Sequence, residues 1–265
     1  MWPWRKRSGV EKLALPKKYF ISHSYKDAGA CQRLFEQLQR DSEPFVFPPI
    51  TVPPEQMISD RLLDAIHACD GLIYIQGGAS AESFWVALER DYALRVGKPV
   101  FAFDPLTGVL SRDLSSAMEL RVFVSHAPSQ WELAGRIVET MQQRFIDVWS
   151  AQFKLLPGTP DWESSIRRGI EEAIEAGGYV VALWSSSAVK SLFVAAEAHL
   201  GSRHPNRVLF AILEGEQPPV PFYAANSDVV LVYGDDERSF VQRVDDLIVR
   251  LYWLIYRNTR QNQLS

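Results

Sequence analysis

The amino-acid sequence predicts an α/β protein made of two related units in tandem. The first observation is an internal repeat: FISH at 20–23 returns within VFVSH at 122–126, and SFWVALE at 83–89 returns as SLFVAAE at 191–197. The second is that these repeats have similar offsets, 103 positions from Ser22 to Ser125 and 108 from Glu89 to Glu197. The third is that short apolar runs alternate with helical patterns, which is typical of parallel sheets covered by helices.

The first predicted unit spans 17–118 and follows an N-terminal tail at 1–16. Its strands are short apolar runs at 18–22, 44–49, 71–75 and 99–103. Apolar residues at helical spacing predict helices between these strands, and the helix that carries Glu89 ends near Gly97. Residues 105–118 are expected to form a loop or short helix that connects the two units.

The second predicted unit spans 119–265 and repeats this order of elements. Its predicted strands lie at 121–124, 146–149, 179–184, 208–213 and 228–233. A final helix follows, with one apolar face that starts at Phe240. Because the first unit ends before a matching fifth strand and last helix, we expect it to be truncated by one strand and one helix.

The composition is that of an ordinary globular protein and excludes several functional classes. The chain of 265 residues is 47% hydrophobic and 23% charged, enough for two small cores. A net charge of -4 offers no basic surface for nucleic acid. No apolar run is long enough for a membrane span, and metal-ligand spacings and phosphate-binding glycine loops are absent. With only Cys31 and Cys69, both expected to be reduced, we predict a cytoplasmic protein without cofactor or metal.

Polar residues follow the first and third predicted strands of each unit. In a flavodoxin-like strand order, the carboxyl ends of these two strands meet where ligands bind. Ser22 and His23 follow the first strand, and the segment 80–89 follows the third. The second unit places Ser125 and the segment 185–197 in the same way. We therefore expect one polar cleft in each unit, with Glu89 in the first and Glu197 in the second.

Two motifs resemble those of the Toll/interleukin-1 receptor (TIR) domain family. The segment FISHSYKD at 20–27 resembles the opening strand and loop of that domain, and SFWVALE at 83–89 resembles its S-x-W-x-x-x-E helix. Each half of the chain resembles one such domain, so the two resemblances together cover essentially the whole chain. The second copy departs from the pattern, with Phe193 in place of Trp and Pro128 in place of a charged turn residue. The chain thus resembles a tandem TIR protein, similar to the bacterial NAD-consuming proteins of Thoeris-type antiphage defence.

This resemblance implies a specific chemistry. Many bacterial TIR domains use the helix glutamate to cleave the nicotinamide–ribose bond of NAD, which gives ADP-ribose or a cyclic ADP-ribose-type messenger. Glu89 and Glu197 are then the catalytic candidates, with NAD as substrate. The residues expected to contact the substrate are Ser22, His23, Tyr25, Ser83, Phe84, Trp85, Ser125, Ser191 and Phe193. The implied partners are other TIR domains and a separate effector that senses the messenger.

Other interpretations of the same residues remain open. Trp85 and Phe193 also suit core positions, which helical aromatic residues most often occupy. His23 and His126 also suit hydrogen bonds at strand ends, and one of the two sites can have decayed after duplication. Two other functions fit the pattern: a TIR scaffold without turnover, and an enzyme like the nucleoside deoxyribosyltransferases, which share the sheet plan and a catalytic glutamate. Nicotinamide release from NAD would distinguish among these.

Overall fold

The protein contains two five-stranded sheets, one in each half of the chain. The structure, a computed structural model, describes residues 17–46, 61–150, 162–175, 177–190, 194, 207–212, 228–231 and 240–264. The elements of the first half are β1 (Lys18–Ser22), α1 (Ala28–Leu38), β2 (Glu43–Val46), α2 (Leu62–His67), β3 (Gly71–Ile75), α3 (Phe84–Arg95), β4 (Val100–Asp104) and β5 (Val109–Arg112). Those of the second half are β6 (Arg121–Ser125), α4 (Trp131–Gln143), β7 (Asp147–Trp149), α5 (Trp162–Glu175), β8 (Tyr179–Trp184), α6 (Ser186–Val189), β9 (Val208–Ile212), β10 (Asp228–Leu231) and α7 (Phe240–Leu264).

Both sheets have the same strand order, which confirms the prediction of parallel sheets covered by helices. The first sheet runs β2-β1-β3-β4-β5, and the second runs β7-β6-β8-β9-β10. Every pair of neighbouring strands is parallel except β4 and β5. In each sheet the first strand of the unit lies beside the third, with Ser22 opposite Tyr74 and Ser125 opposite Ala182. The first and third strands therefore end side by side in both units.

The prediction that the first unit lacks a fifth strand is wrong. After β4 the chain makes a tight turn, in which the Asp104 carboxylate accepts hydrogen bonds from the Leu106 amide at 2.8 Å and the Thr107 hydroxyl at 2.7 Å. Gly108 follows with a φ of +70°, a conformation that glycine adopts easily. The chain then returns as β5, antiparallel to β4. A hairpin needs only such a turn, whereas a parallel strand would need a crossover segment.

The helices form layers on both faces of each sheet. Helix α1 covers one face of the first sheet, where Cys31 and Leu34 pack with Ile21 and Phe103. Helices α2 and α3 cover its other face. In the second unit, α5 packs on one face through Ile170, and α4 and α7 cover the other.

A single hydrophobic core joins the two halves. It is formed by side chains of α2 and α3 from the first unit and of α4 and α7 from the second, together with the sheet faces beneath them. Leu88 and Tyr92 of α3 belong to it, as do Val138 of α4 and Leu251 of α7. The long helix α7 thus packs against the half of the chain that has no last helix of its own.

Candidate functional site

The helix that carries Glu89, α3, follows β3 and begins at Phe84. Ser83 is its N-cap, because the Ser83 hydroxyl accepts a hydrogen bond from the Val86 amide at 3.4 Å. Glu89 lies further along α3, with only 6% of its surface exposed. Its carboxyl group interacts with the hydroxyl of Ser22, the last residue of β1, which is 1% exposed. Glu89 and Ser22 therefore meet at the carboxyl edge of β1 and β3.

Burial controls the protonation of Glu89. Loss of solvent raises the pKa of Glu89 from 4.5 to about 8, and the interaction with Ser22 lowers that pKa by a smaller amount. Within the described residues, Ser22 Oγ makes no hydrogen bond of standard geometry, so its interaction with Glu89 is weaker than a well-aligned hydrogen bond. The Glu89 side chain is thus mostly protonated at pH 7. A positive charge brought next to it would favour the ionised form.

The loops that follow β1 and β3 are tied together beside this position. The Ser80 amide and hydroxyl both donate to Asp27 Oδ2 at 2.6 Å, and the Ser24 amide donates to Ser80 Oγ at 2.9 Å. Gly78 has a φ of +58°, and a Cβ at Gly78 would lie 2.7 Å from Asp27 Oδ1. The sequence analysis placed the segment 80–89 at the cleft, but it named neither Asp27 nor Ser80 as a site residue. The turn at Gly77 and Gly78 was the available signal, since it lets the two loops approach.

His23 and Tyr25 lie in the loop after β1 but in different environments. His23 is half-buried, and burial lowers its pKa below 6.5 by more than the Ile21 backbone and Asp27 raise it, so the ring is neutral at pH 7. Tyr25 is 53% exposed, and Lys26 Nζ lies 5.9 Å from the centre of its ring. Of these two side chains, Tyr25 is the more accessible to a ligand.

Phe84 and Trp85 take part in packing between helices. Phe84 is buried, and its ring makes T-shaped contacts with three aromatic side chains. The distances between ring centres are 5.0 Å to Trp85, 5.2 Å to Trp253 and 5.6 Å to Tyr256. Trp85 is partly buried against the same core. The structure thus places Phe84 in the core, at the contact between α3 and α7, with Trp85 packed against it.

The second unit has a related polar edge. Gln130 lies 103 positions after Asp27 and ties the equivalent loops: its Oε1 accepts from the Ala127 amide at 3.0 Å and its Nε2 donates to Ser185 Oγ at 2.5 Å. Ser125 is buried at the end of β6. Burial lowers the pKa of His126, whose Nδ1 contacts the Ala127 carbonyl at 3.0 Å. The two loops are thus joined by side-chain hydrogen bonds in both units, through the Asp27 carboxylate in the first and the Gln130 amide in the second.

Three predicted site residues of the second unit, Ser191, Phe193 and Glu197, lie outside the described residues. Their neighbour Val194 is described and is buried in the core beneath α5. Among the residues that the structure covers, no cluster of three or more His, Cys, Asp or Glu side chains could hold a metal ion. In the same part of the chain, no helix combines the length and apolar character that crossing a bilayer requires.

Both halves are α/β units in which the first and third strands lie side by side in a mainly parallel sheet. In the first half, a buried carboxyl group lies at the end of these two strands. Residues 122–247 match the sequence model of a family described as the TIR domain. Residues 122–247, in the second half of the chain, therefore form a TIR domain. The match does not extend to the first half, which shares the strand order of the second.

Other comparisons give little beyond this family. No curated protein matches the sequence. Three solved structures share weak similarity: an ABC sugar transporter subunit from Rhodobacter sphaeroides 2.4.1 (12% identity, 75% of this chain, 78% of that chain, TM-score 0.26), Dph2 from Pyrococcus horikoshii with a 4Fe-4S cluster (12%, 75%, 50%, 0.24) and a XylFII molecule (16%, 76%, 80%, 0.21). Scores this low do not establish a shared fold.

Proposed function

We propose that the protein cleaves the nicotinamide–ribose bond of NAD and acts in bacterial antiphage immune signalling of the Thoeris type. The observation that carries the proposal is the TIR domain at 122–247, because its family includes enzymes that cleave NAD. The position of Glu89 in the first unit supports it. We further propose that the first half is a second TIR unit, since both halves share a strand order and a tie between the same two loops.

The proposed reaction breaks the bond between C1′ of the ribose and the pyridinium nitrogen. The bonding electron pair goes to that nitrogen, so nicotinamide leaves as a neutral molecule without a general acid. The ribose carbon then carries oxocarbenium-like positive charge, as in glycoside hydrolysis. Water attacks C1′ and releases one proton to solvent to give ADP-ribose, or a nucleophile within the same molecule attacks C1′ to give a cyclic product.

Glu89 has the role of stabilising this positive charge. The ionised carboxylate is required, and the cationic nicotinamide ring of bound NAD favours ionisation of a buried carboxyl group. Ser22 lies beside Glu89 and is proposed to orient a ribose hydroxyl, while the exposed ring of Tyr25 is available for stacking. In the second unit the same roles fall to Glu197, with Ser125, Ser191 and Phe193 around it.

Release of nicotinamide by the purified chain tests the proposal. We expect Glu89→Gln or Glu197→Gln to lower kcat at least about 100-fold, whichever residue lies in the active unit, since an amide cannot carry the required charge. Glu82→Gln is the matched control, because Glu82 is an exposed glutamate next to α3. Full activity in both single variants and in the double variant would refute the role of the glutamates.

A scaffold function is the second candidate, and the burial of Glu89 favours it. A mostly protonated carboxyl group with 6% exposure offers little surface to a substrate. If the protein only binds other TIR domains, it releases no nicotinamide but co-elutes with them. Turnover of deoxynucleosides without turnover of NAD would instead indicate the deoxyribosyltransferase-like alternative.

A further inference from the structure

Helix α3 is held on the side away from its sheet by helix α7 of the other unit. The Tyr252 hydroxyl donates to Asp91 Oδ2 at 2.6 Å and accepts from Arg95 Nε at 2.9 Å. Tyr252 is 1% exposed, and Asp91 is buried as well. These hydrogen bonds join residues 157 and 161 positions apart in the sequence, in a part of the core that excludes water.

Further contacts with α7 hold the beginning of α3. The Tyr256 hydroxyl donates to the Glu82 carbonyl, just before α3 starts, and Arg260 Nη2 donates to the same carbonyl at 3.1 Å. Phe84, the first residue of α3, packs edge-on against Trp253. Helix α7 therefore contacts α3 near both of its ends.

The segment that connects the two units is also fastened to α3. Arg90 Nε donates to Asp113 Oδ2 at 2.6 Å. Further along, the Met118 amide donates to Asp91 Oδ1, and Arg95 donates to the Met118 carbonyl. Asp91 and Arg95 thus bind both the connecting segment and Tyr252.

We propose that α7 of the second unit is the positioning element for Glu89 of the first, and that Tyr252 transmits its position to α3 through Asp91 and Arg95. Two helical positions separate Glu89 from Asp91, a rotation of about 200°, so these side chains leave α3 on nearly opposite sides. Helix α3 therefore lies between β1 and α7. Glu89 contacts Ser22 of β1, and Asp91 contacts Tyr252 of α7. A small rotation of α3 would separate Glu89 from Ser22.

A purely structural contact would behave differently. Loss of the Tyr252 hydroxyl would then lower the free energy of unfolding without changing the surroundings of Glu89. If α7 positions α3, the same loss admits water to Glu89 and reduces the burial that raises its pKa. Burial raises this pKa and the contact with Ser22 lowers it, and both depend on where α3 lies, so a displacement of α3 is expected to change the pKa.

The test uses Tyr252→Phe in the full chain, with Tyr19→Phe as the matched control. Tyr19 is also fully buried, but its hydroxyl has no hydrogen-bond partner among the described residues, and it packs with α1 on the opposite face of the sheet. The pKa of Glu89 is measured by NMR of ¹³C-labelled glutamate carboxyl groups, with Glu89→Gln used for assignment. In Tyr252→Phe we expect this pKa to fall by about one unit, which corresponds to about a tenfold change in proton affinity. Tyr19→Phe should leave it unchanged.

The positioning role and the enzymatic role can fail separately. The catalytic part rests on the proposed function: if Glu89→Gln shows that NAD is cleaved in the first unit, Tyr252→Phe should lower kcat about tenfold and leave KM within about twofold, because orientation is lost rather than binding. A shifted Glu89 pKa without nicotinamide release from any form supports the positioning role and refutes the NAD function. An unchanged pKa in folded Tyr252→Phe overturns the positioning role. If that variant does not fold, Tyr256→Phe replaces it under the same criterion.

Discussion

Glu89 binds a proton more tightly in the folded chain than a glutamate does in water, because its carboxyl group is surrounded by the core. Its pKa of about 8 lies above the 4.5 of a free glutamate side chain. The folded protein therefore retains this proton at pH values where the unfolded chain has released it. This difference links the stability of the fold to pH.

We predict that Glu89 makes the free energy of unfolding fall as the pH rises from 4.5 to 8. Its favourable contribution is fully present below pH 4.5 and is lost as the pH rises towards the folded-state pKa. The slope is at most about 1.4 kcal/mol per pH unit. Urea denaturation at several pH values should show a shallower slope for Glu89→Gln, and Glu82→Gln should match the unmodified chain. Equal slopes in all three proteins would contradict the buried position of Glu89.

Gly78 lies where the loops that follow β1 and β3 approach each other, and we predict that Gly78→Ala destabilises the fold. The new Cβ would lie 2.7 Å from Asp27 Oδ1 and would break the hydrogen bonds between Asp27 and Ser80. Gly77→Ala is the control, because Gly77 also has a positive φ, +98°, but open space around its Cβ position. We expect Gly78→Ala to lower the free energy of unfolding, measured by thermal denaturation, by about 1–3 kcal/mol more than Gly77→Ala does. Equal losses would show that the contact with Asp27 is unimportant.

At the scale of single elements, α3 differs from an ordinary surface helix because it has buried residues on several sides. Leu88 and Tyr92 belong to the core, Glu89 faces β1, and Asp91 faces α7. A helix enclosed in this way depends on its ends being well defined. Ser83 supplies the hydrogen bond that defines the beginning.

We predict that Ser83→Ala lowers the free energy of unfolding by about 1 kcal/mol through loss of this cap. Ser83→Asp should retain most of the stability, because a carboxylate oxygen can accept the same hydrogen bond from the Val86 amide. Chemical denaturation of the two variants provides the measurement. If both variants lose the same stability, the cap is not the reason.

The elements differ in how far the sequence predicts them. Apolar runs and helical spacing predicted the parallel strands, because doubly covered strands are apolar on both faces. Their order in the sheet was expected from a flavodoxin-like arrangement. The hairpin strand β5 was not predicted, because only Leu110 among its side chains is partly buried and the strand therefore has no apolar pattern. Its position depends on the turn at Asp104 and Gly108. The strand ends also predicted where Glu89 and Ser22 converge. The packing of Phe84 on Trp253 could not be predicted, since it depends on how two distant helices meet.

At the scale of the whole molecule, the two units pack head to tail. The α2 and α3 side of the first unit meets the α4 and α7 side of the second, so the shared core joins non-equivalent faces. Arg144 lies at this junction. It donates to Asp245 of α7 at 2.7 and 2.9 Å and to Asp64 of α2 at 2.6 Å, and thereby connects the units electrostatically.

We predict that Arg144→Ala costs about 3–5 kcal/mol at pH 7, because Asp245, whose side chain is 2% exposed, would be left without its cation. Burial already raises the pKa of Asp245, and loss of Arg144 raises it further. The loss of stability should therefore shrink at lower pH, where the folded state can protonate Asp245.

Denaturation at pH 5 and pH 7 measures this difference. Arg121→Ala removes exposed ion pairs with Glu119 and Asp147 and should cost less than about 1 kcal/mol. A loss for Arg144→Ala that is as small as that for Arg121→Ala would show that Arg144 does not hold the units together.

The contact between α3 and α7 has a consequence for biosynthesis. Tyr252 follows Arg95 by 157 positions, so at about 5–20 residues per second a ribosome adds it roughly 8–30 s later. During this interval the nascent first half presents the apolar side of α3 without its cover. Chaperones that recognise such surfaces are expected to engage the growing chain until α7 emerges and completes the fold.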